Sequence, residues 1–468
     1  MSNPLIVAYH FPPIGGAGSQ RWLKLAKYLP ESGLSIETVN VITGSGQSTD
    51  LWSPIDDTLD KELPLEVRVH RVSEPEPGET RRQLRAERWL LVDTVWSRWW
   101  VEGVTEAGLK LGPEIAVIVA SMPPFISAQA AAVLSRKLGK PWVADLRDPW
   151  ALDEMLVYPT GIHRRADRRR MRLLLRTAAA IVTTTPEAAR RIAEGFPELA
   201  GTSIVSIPNG FDPVDFDGPE PARDDRTFRI VHTGYLHTGL GLNQRRGGMR
   251  QRLGGSWRGA DLLTRSHVYI LEAIEDLKIR RPDLGEAVEL HLAGALSDAD
   301  REVARTSPAV RLHGYVSHSE AVDLMRSADL LFLPMQKMPA GTRSGIVPGK
   351  TYEYLAAGRP ILGAVPEGDT REILHAAGNA YVCEPDDVQA MTRAIESERE
   401  RRRAVGAAPF AASPDVLERF ERRTQARRYA ELLDAVTNEP PRESATDPAA
   451  DSIRTRTTGE EAGFPAGR

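Results

Sequence analysis

Short apolar runs alternate with helical patterns along the chain, and this alternation predicts β-strands joined by α-helices. In the first half the runs lie at residues 5–9, 39–42, 115–120, 142–144, 181–184 and 204–207. After the first run, apolar residues recur at Trp22, Leu25, Ala26 and Leu29, with the spacing of one helix face. Because the runs are continuously apolar, they predict a parallel sheet covered by helices on both faces.

The second half repeats this pattern. Apolar runs lie at 228–232, 289–293, 311–313, 330–334 and 360–364, with helices expected at 320–326 and 350–357. Residues 208–226 between the halves are rich in Pro, Gly and Asp, which is typical of a boundary segment. The predicted organisation is therefore α/β with two Rossmann-like domains, residues 1–212 and 213–395.

The C-terminal part has a different composition. Residues 396–436 are helical in pattern and rich in alternating charges, and we expect them to pack back toward the N-terminal domain. Residues 437–468 contain almost no large apolar side chains, so they cannot offset their ordering entropy and are predicted to be disordered.

Composition excludes several function classes. The 468 residues include 60 basic and 64 acidic side chains, and a net charge of −4 disfavours nucleic-acid binding. The single cysteine, Cys383, cannot form an intramolecular disulfide and suits a cytoplasmic protein. The N-terminus has no signal-peptide pattern, and no apolar run approaches the length of a spanning helix, so we expect any membrane contact to be peripheral.

Two loops carry candidate chemistry in the first half. His10–Gly18 joins the first strand to the first helix, and Gly15 and Gly16 would let backbone N–H groups approach a phosphate. A tight turn without a ligand is equally compatible with that spacing. Arg147 and Asp148 follow the run at 142–144, and the carboxyl ends of parallel strands are where such sheets bind ligands. The alternative is an Asp148 helix cap followed by Pro149.

A third stretch, TRSGIVPGKTYEYLAAGRP at 342–360, enters a helix that ends at Gly358. Glu353 lies early in that helix, where its carboxylate can accept hydrogen bonds from the two hydroxyls of a ribose. It can equally be an acid that complements the helix dipole.

Taken together, the motifs YHFPPIGGAGSQRWLKLAKYL, WVADLRDPW, TTTPEAARRI, IPNGFD and GKTYEYLAAGRPIL resemble family 4 glycosyltransferases. More narrowly, they resemble the bacterial subgroup that builds surface polysaccharides. The similarity runs from about Leu5 to Glu396. It implies the GT-B architecture, in which two Rossmann-like domains face each other across a cleft. It also implies transfer from a nucleotide sugar with retention of configuration, without a cofactor or a required metal.

The resemblance assigns roles to individual residues. Gly15 and Gly16 match a glycine pair at the donor diphosphate, and Glu353 matches the second glutamate of the E-x7-E motif, which holds the ribose. The first glutamate would fall at position 345, where this chain has Gly345, and a histidine of many members is replaced by Arg147. Gly234, Arg343, Gly345 and Lys350 complete the expected donor site, and Asp148, Arg147 and His10 are expected near the reacting groups.

Three surface features remain open. Residues 238–260 contain five arginines and no acid; they can close over the donor phosphates or form a solvated insertion. Four tryptophans lie between 89 and 100, and six arginines lie between 163 and 172. Both fit an anionic membrane surface, and both also fit ordinary structure, as core packing and a solvated helix face.

The resemblance therefore implies a retaining, metal-independent hexosyltransferase that acts on a glycan or lipid-linked acceptor in the cytoplasm, and the basic and aromatic segments are compatible with peripheral contact at the inner membrane face. Two alternatives remain. One is a catalytically inactive nucleotide-sugar-binding or scaffold protein, suggested by Gly345. The other is a nucleotide-sugar epimerase on the same fold.

Overall fold

The structure, a computed structural model, describes residues 3–45, 54–73, 89, 94–221, 226–247, 252–405 and 410–438, and elements are numbered over these residues. The strands are β1 Pro4–Val7, β2 Val39–Thr43, β3 Val67–Arg71, β4 Val117–Met122, β5 Trp142–Leu146, β6 Ala180–Thr183, β7 Ser203–Ser206, β8 Phe228–Thr233, β9 Val288–Ala293, β10 Val310–Gly314, β11 Leu330–Pro334, β12 Ile361–Ala364 and β13 Ala380–Cys383.

The α-helices connect these strands. They are α1 Ala17–Tyr28, α2 Val95–Lys110, α3 Ile126–Leu138, α4 Gly161–Leu175, α5 Pro186–Gly195, α6 Thr238–Arg245, α7 Val268–Arg280, α8 Pro282–Gly285, α9 Asp298–Ala304, α10 His318–Arg326, α11 Lys350–Ala356, α12 Asp369–Ala377, α13 Val388–Val405, α14 Pro414–Arg419 and α15 Arg422–Asn438. The predicted α/β class with two Rossmann-like domains is confirmed.

The N-terminal sheet has the strand order β3-β2-β1-β4-β5-β6-β7, and all its pairings are parallel. Side chains of β1 alternate between the faces: Leu5 and Val7 belong to one core cluster, and Ile6 belongs to the other. Both faces of the strand are thus buried, which explains why the run is apolar at every position.

The C-terminal sheet repeats this arrangement with the order β10-β9-β8-β11-β12-β13, again parallel. In each sheet the chain reverses its direction of winding beside the first strand, between β1 and β4 and between β8 and β11. Parallel α/β sheets bind ligands outside the carboxyl ends of their strands at this point. The loops after β1, β5 and β8 are therefore the places to look for a site.

The last described helix returns to the N-terminal sheet. Ala426, Tyr429 and Leu433 of α15 are buried in the same cluster as Ile6, and the Tyr429 ring meets Trp22 of α1 edge-on at 5.1 Å. The apolar face of α1 is thereby covered. The tail beyond Asn438, which was predicted to be disordered, lies outside the described residues.

Eleven strands lie where apolar runs predict them, and two were not predicted. β3 (VRVHR) and β13 (AYVC) are edge strands whose side chains are mostly partly buried or exposed. An edge strand needs no continuous apolar run, so the pattern did not single them out. Among the described residues, no helix combines the length and the apolar character required to cross a membrane.

Candidate functional site

The glycine loop after β1 reaches toward the C-terminal domain. Gly16 has a φ of 86° and precedes α1, whose first turn receives no side-chain cap. The amide of Gly15 donates to the carbonyl of Pro54 at 2.7 Å. A Cβ on Gly15 would lie 2.7 Å from the Tyr315 hydroxyl, which follows β10. A side chain at position 15 would therefore displace the Tyr315 hydroxyl of the opposite domain.

Arg147, at the end of β5, ties three backbone segments together. Its guanidinium donates to the carbonyls of Gly18 at 2.5 Å, Met122 at 3.2 Å and Pro123. These bonds fix the start of α1, the end of β4 and the end of β5 relative to one another. With its donors directed at carbonyls, Arg147 shapes this face of the cleft.

His10 and Asp148 lie beside Arg147. Burial, and then the charge of Arg147, lower the pKa of His10 to about 4, so the imidazole is neutral at pH 7. Burial raises the pKa of Asp148, and the charges of Arg147 and Arg265 oppose that rise. Since Arg265 belongs to the C-terminal domain, Asp148 faces charge from both sides of the cleft.

The C-terminal domain presents Gly234 and Lys350. Gly234 follows β8 with a φ of 97°, and a Cβ there would lie 2.9 Å from Lys350 Nζ. A Cβ on Gly294 would lie 2.5 Å from the Gly234 carbonyl, so the loops after β8 and β9 pack backbone to backbone. Lys350 Nζ lies 3.3 Å from Nε2 of His232. Because Gly234 and Gly294 carry no side chains, the two loops leave space beside Lys350.

Lys350 and Arg265 are desolvated cations on the C-terminal side of the cleft. Burial, and then the charge of Arg265, lower the pKa of Lys350 to about 7, while Glu353 opposes the shift. Burial also lowers the pKa of Arg265, against the charges of Asp148 and other carboxylates. Neither cation forms a salt bridge shorter than 4 Å within the described part of the chain. Two buried cations whose charge is only weakly neutralised by neighbouring groups create a site that stabilises an anion.

Sequence reasoning missed Arg265 and His237. The amide of His237 donates to the carbonyl of Arg265 at 2.9 Å, so the loop after β8 meets the entrance of α7 directly. Burial, and then Arg265 and Lys350, lower the pKa of His237 to about 2. The 238–260 insertion separates the two residues in sequence. If the insertion is left out, a strand, a glycine loop, a basic residue and a helix follow one another in the sequence. That order was the signal that could have identified Arg265.

Glu353 lies in the first turn of α11, as predicted. Its carboxylate forms no side-chain hydrogen bond with the described residues, and it is partly exposed. The pKa of His318 is raised because its hydrogen bond to Asp215 and the charge of Glu353 outweigh burial. His318 follows Tyr315 by three residues, so Glu353 and the Gly15 loop approach the same end of the C-terminal sheet.

Arg343 and Gly345 lie in contacts between the domains. The guanidinium of Arg343 pairs with Glu372 at 2.7 Å, Asp369 at 3.2 Å and Glu187 of α5 at 3.5 Å. The carbonyl of Gly345 accepts from Thr185 Oγ1 at 2.8 Å.

The structure brings His10, Arg147 and Asp148 together on one side of the cleft, and Gly234 and Lys350 on the other. Their proposed roles stay predictions.

The 238–260 insertion contacts the N-terminal domain. The carbonyls of Leu253 and Gly255 accept from the amides of Gly161 and Tyr158, each at 2.8 Å. The Arg191 guanidinium lies over the Trp257 ring, 5.3 Å from its centroid. The described part of this segment is therefore docked rather than solvated, and residues 248–251 lie outside the described residues.

The tryptophan segment and the arginine segment, which both suit a membrane surface, differ in their surroundings. Trp100 is buried, Trp96 and Trp99 pack on the core in part, and Trp89 is 47% exposed. The structure thus bears out core packing for Trp100 and, in part, for Trp96 and Trp99. On α4, four arginines line a surface cavity of about 410 Å³, namely Arg165, Arg168, Arg169 and Arg172.

Within the described ranges, one group of carboxylates is close enough to hold a metal ion: Glu62, Asp212 and Asp215. Lys24 Nζ lies among them, at 2.6 Å from Glu62, 3.3 Å from Asp212 and 3.0 Å from Asp215. The ammonium group supplies the positive charge that a metal would bring, so this cluster is an ion-pair network.

Two family models match the chain. The model described as Glycosyl transferase 4-like domain matches residues 16–210, and the model described as Glycosyl transferases group 1 matches residues 262–398. The first match ends at residue 210, near the start of the boundary segment, and the second begins at residue 262, just after the insertion. No curated protein sequence matches the chain.

Solved structures match over nearly the whole chain. Anabaena HepE in complex with UDP-glucose is 14% identical with a TM-score of 0.56, covering 92% of this chain and 99% of that one. A glycosyltransferase from Rickettsia africae is 13% identical with a TM-score of 0.56, covering 94% and 99%. A putative UDP-N-acetylglucosamine 2-epimerase from Listeria monocytogenes is 14% identical with a TM-score of 0.52, covering 94% and 98%. At these identities the likeness shows the fold.

Proposed function

Since the chain belongs to the family 4-type GT-B glycosyltransferases, which transfer sugars from nucleotide-sugar donors, we propose that it is a retaining hexosyltransferase. Its acceptor is a glycan or a lipid-linked saccharide of cell-surface polysaccharide synthesis. The observation that carries the proposal is the pair of weakly compensated cations, Arg265 and Lys350, beside the Gly234 loop and opposite Asp148.

The cation pair suits a departing diphosphate. In the transfer, the bond between the anomeric carbon and the phosphate oxygen breaks, and negative charge develops on that oxygen. Arg265 and the protonated form of Lys350 are already in place to stabilise this charge, so little reorganisation is needed as it forms. These two cations can do the work of a divalent metal, which supports metal-independent transfer.

The acceptor side supplies a neutral imidazole and a carboxyl group. With retention, the acceptor oxygen bonds the anomeric carbon on the face that the leaving group vacates, and its proton can pass to the leaving phosphate oxygen. Asp148 and neutral His10 are suited to orient the acceptor hydroxyl by accepting a hydrogen bond. Glu353 has free acceptor capacity for the ribose hydroxyls. The UDP-glucose complex of Anabaena HepE supports a nucleotide sugar as the donor.

The test is turnover of a panel of UDP-, GDP- and ADP-sugars with extracted lipid-linked acceptors, in buffer containing EDTA. We expect nucleotide release that depends on acceptor, and a product whose anomeric configuration, measured by NMR, equals that of the donor. Inversion of configuration, or activity lost with EDTA and restored by Mg²⁺, would contradict the mechanism.

Two outcomes of the same assay would favour the alternatives. Free nucleotide with an epimerised sugar and no acceptor requirement would indicate an epimerase, as the likeness to the Listeria protein allows. Nucleotide binding without turnover for any donor and acceptor would indicate a scaffold protein.

We also propose that the α4 arginines bring the enzyme to the anionic inner face of the cell membrane, where a lipid-linked acceptor would lie. Arg165 and Arg169 are exposed and line the same cavity. Replacing both with Ala should reduce co-sedimentation with vesicles of anionic lipid at low salt. The matched control is Arg301→Ala on α9 with Arg305→Ala just after that helix, which removes the same charge elsewhere. Equal binding of both variants would contradict this location.

A further inference from the structure

A carboxylate of the N-terminal domain holds the loop that leads to α11. Glu154 is 2% exposed, and its Oε1 accepts from the Gly345 amide at 3.0 Å and from Ser344 Oγ at 2.8 Å. The same oxygen accepts from Gln336 Nε2 at 3.2 Å, and Oε2 pairs with Arg191 at 2.6 Å. One buried side chain thus crosses from one domain to fix three residues of the other.

Arg191 occupies the space next to position 345. A Cβ on Gly345 would lie 2.9 Å from Arg191 Nη1. The φ of Gly345 lies outside the left-handed region, so its backbone would accept a side chain. What restricts this position to glycine is therefore the guanidinium, which Glu154 holds in place and which also donates to the Arg343 carbonyl.

The held loop continues into the site. From Gly345 only four residues lead to Lys350, at the start of α11, and Glu353 lies in the same first turn. A loop that is ordered before the donor arrives does not lose conformational entropy on binding. Glu154 itself already accepts four hydrogen bonds and is almost inaccessible, so it holds the loop without contacting the donor.

We propose that Glu154, together with Arg191, is a positioning residue for the nucleotide-sugar site: it holds residues 343–345 from across the cleft so that α11 presents Lys350 and Glu353 to the donor. The inference rests on the proposed function of that site. It predicts that donor affinity depends on a carboxylate that does not contact the donor.

The first test needs no ligand. Hydrogen exchange of peptides spanning 340–352 is measured in the full-length chain. In Glu154→Ala, we expect the Gly345 amide, which has lost its acceptor, to exchange at least tenfold faster. Glu194→Ala removes an exposed carboxylate that, among the residues the structure describes, pairs only with Arg190, and it is the matched control, with no change expected. Unchanged protection of Gly345 in Glu154→Ala would overturn the inference.

The second test measures kinetics with the nucleotide sugar that the wild type turns over. Glu154→Ala should raise the donor KM at least tenfold and change kcat less than threefold. A purely structural role would instead reduce the active fraction, so apparent kcat would fall at constant KM. A wild type that binds none of UDP, GDP or ADP would overturn the proposed function, whereas equal UDP, GDP or ADP affinity of wild type and variant would overturn the positioning role alone.

A milder variant keeps the test decisive if Glu154→Ala does not fold. Gly345→Ala places a methyl group against Arg191 without changing a charge, and we expect a several-fold rise in donor KM. Gly201→Ala is its control, because a Cβ there meets no atom within 4 Å. Equal donor KM for the two glycine variants would count against the role of the Glu154–Arg191 pair.

Discussion

Two regions between the domains differ in how completely their buried charges are paired. Beside Glu154, Arg191 pairs with Glu154 at 2.6 Å and with Glu187 at 3.1 Å, and the Gly345 amide, the Ser344 hydroxyl and the Gln336 side chain donate to the other oxygen of Glu154. Around Lys350 and Arg265 the side-chain hydrogen bonds among the described residues are longer, from Lys350 to His232 at 3.3 Å and from Arg265 to Gln336 at 3.4 Å. The saturated region holds the domains together, and the unsaturated region is available to a ligand.

The difference teaches how to separate structure from function among buried ionisable groups. A buried ion pair with complete hydrogen bonding destabilises the fold when one partner is removed, because the other is left uncompensated. A buried cation without a carboxylate partner already costs free energy in the unliganded protein, so its removal affects ligand binding more than folding. Matched Arg→Met replacements on the two sides test this distinction.

The largest effect is expected on the saturated side. Arg191→Met leaves Glu154 buried without its ion pair, and the free energy of unfolding should fall by about 3–5 kcal/mol. Urea denaturation at pH 7.5 measures this. Arg301→Met on α9, which is exposed, is the control and should change stability by less than about 0.5 kcal/mol. Equal stability of the two variants would remove the distinction between the regions.

On the unsaturated side, Arg265→Met should reduce kcat/KM by about 10²–10³, since one preorganised donor to the leaving diphosphate is lost. Its unfolding free energy should fall less than that of Arg191→Met, because the only side-chain hydrogen bond given up among the described residues is the 3.4 Å contact with Gln336. Steady-state kinetics and denaturation on the same preparation measure both. Full activity would exclude Arg265 from the donor site.

Glu353→Ala should weaken nucleotide binding by about 1–3 kcal/mol, because its charge-assisted hydrogen bonds to the ribose hydroxyls are lost. Isothermal titration calorimetry with the nucleotide that the wild type binds gives the difference. Glu302→Ala, an exposed acid on α9, serves as the matched control. Comparable affinity of the two variants would place the ribose elsewhere.

The smallest effect is a pH dependence. Because burial lowers the pKa of Lys350 from 10.5 to about 7, the ammonium form is lost above pH 7 in the free protein. Donor binding then requires proton uptake, and affinity for a nucleotide sugar should fall by up to about tenfold per pH unit above 7. The folded state meanwhile binds fewer protons than the unfolded state between pH 7 and 10.5, so this group makes stability rise with pH there. Lys350→Met should remove the fall of donor affinity with pH and the contribution of this group to the rise of stability with pH.

Much of the candidate site follows from strand ends alone. His10, Arg147, Asp148 and Gly234 all lie just after apolar runs, and parallel strands bring such positions to one edge of a sheet. The hydrogen bonds from the Arg147 guanidinium to three carbonyls could not be predicted, because those carbonyls come from separate segments. Glu154 was missed for a related reason: it lies in an irregular segment after β5, and its partners in the C-terminal domain are 182 to 191 residues away.

The sequence by itself determined two parallel sheets and the loops that bear the glycines, because burial on both faces imposes continuous apolar runs and turns demand small residues. Only the tertiary structure decided that Arg265 joins Lys350, that the 253–257 segment docks on the N-terminal domain, and that Glu154 and Arg191 fill the space beside Gly345. These contacts join residues far apart in the chain, where neither periodicity nor spacing carries a signal. They depend instead on how two separately folded sheets pack against each other.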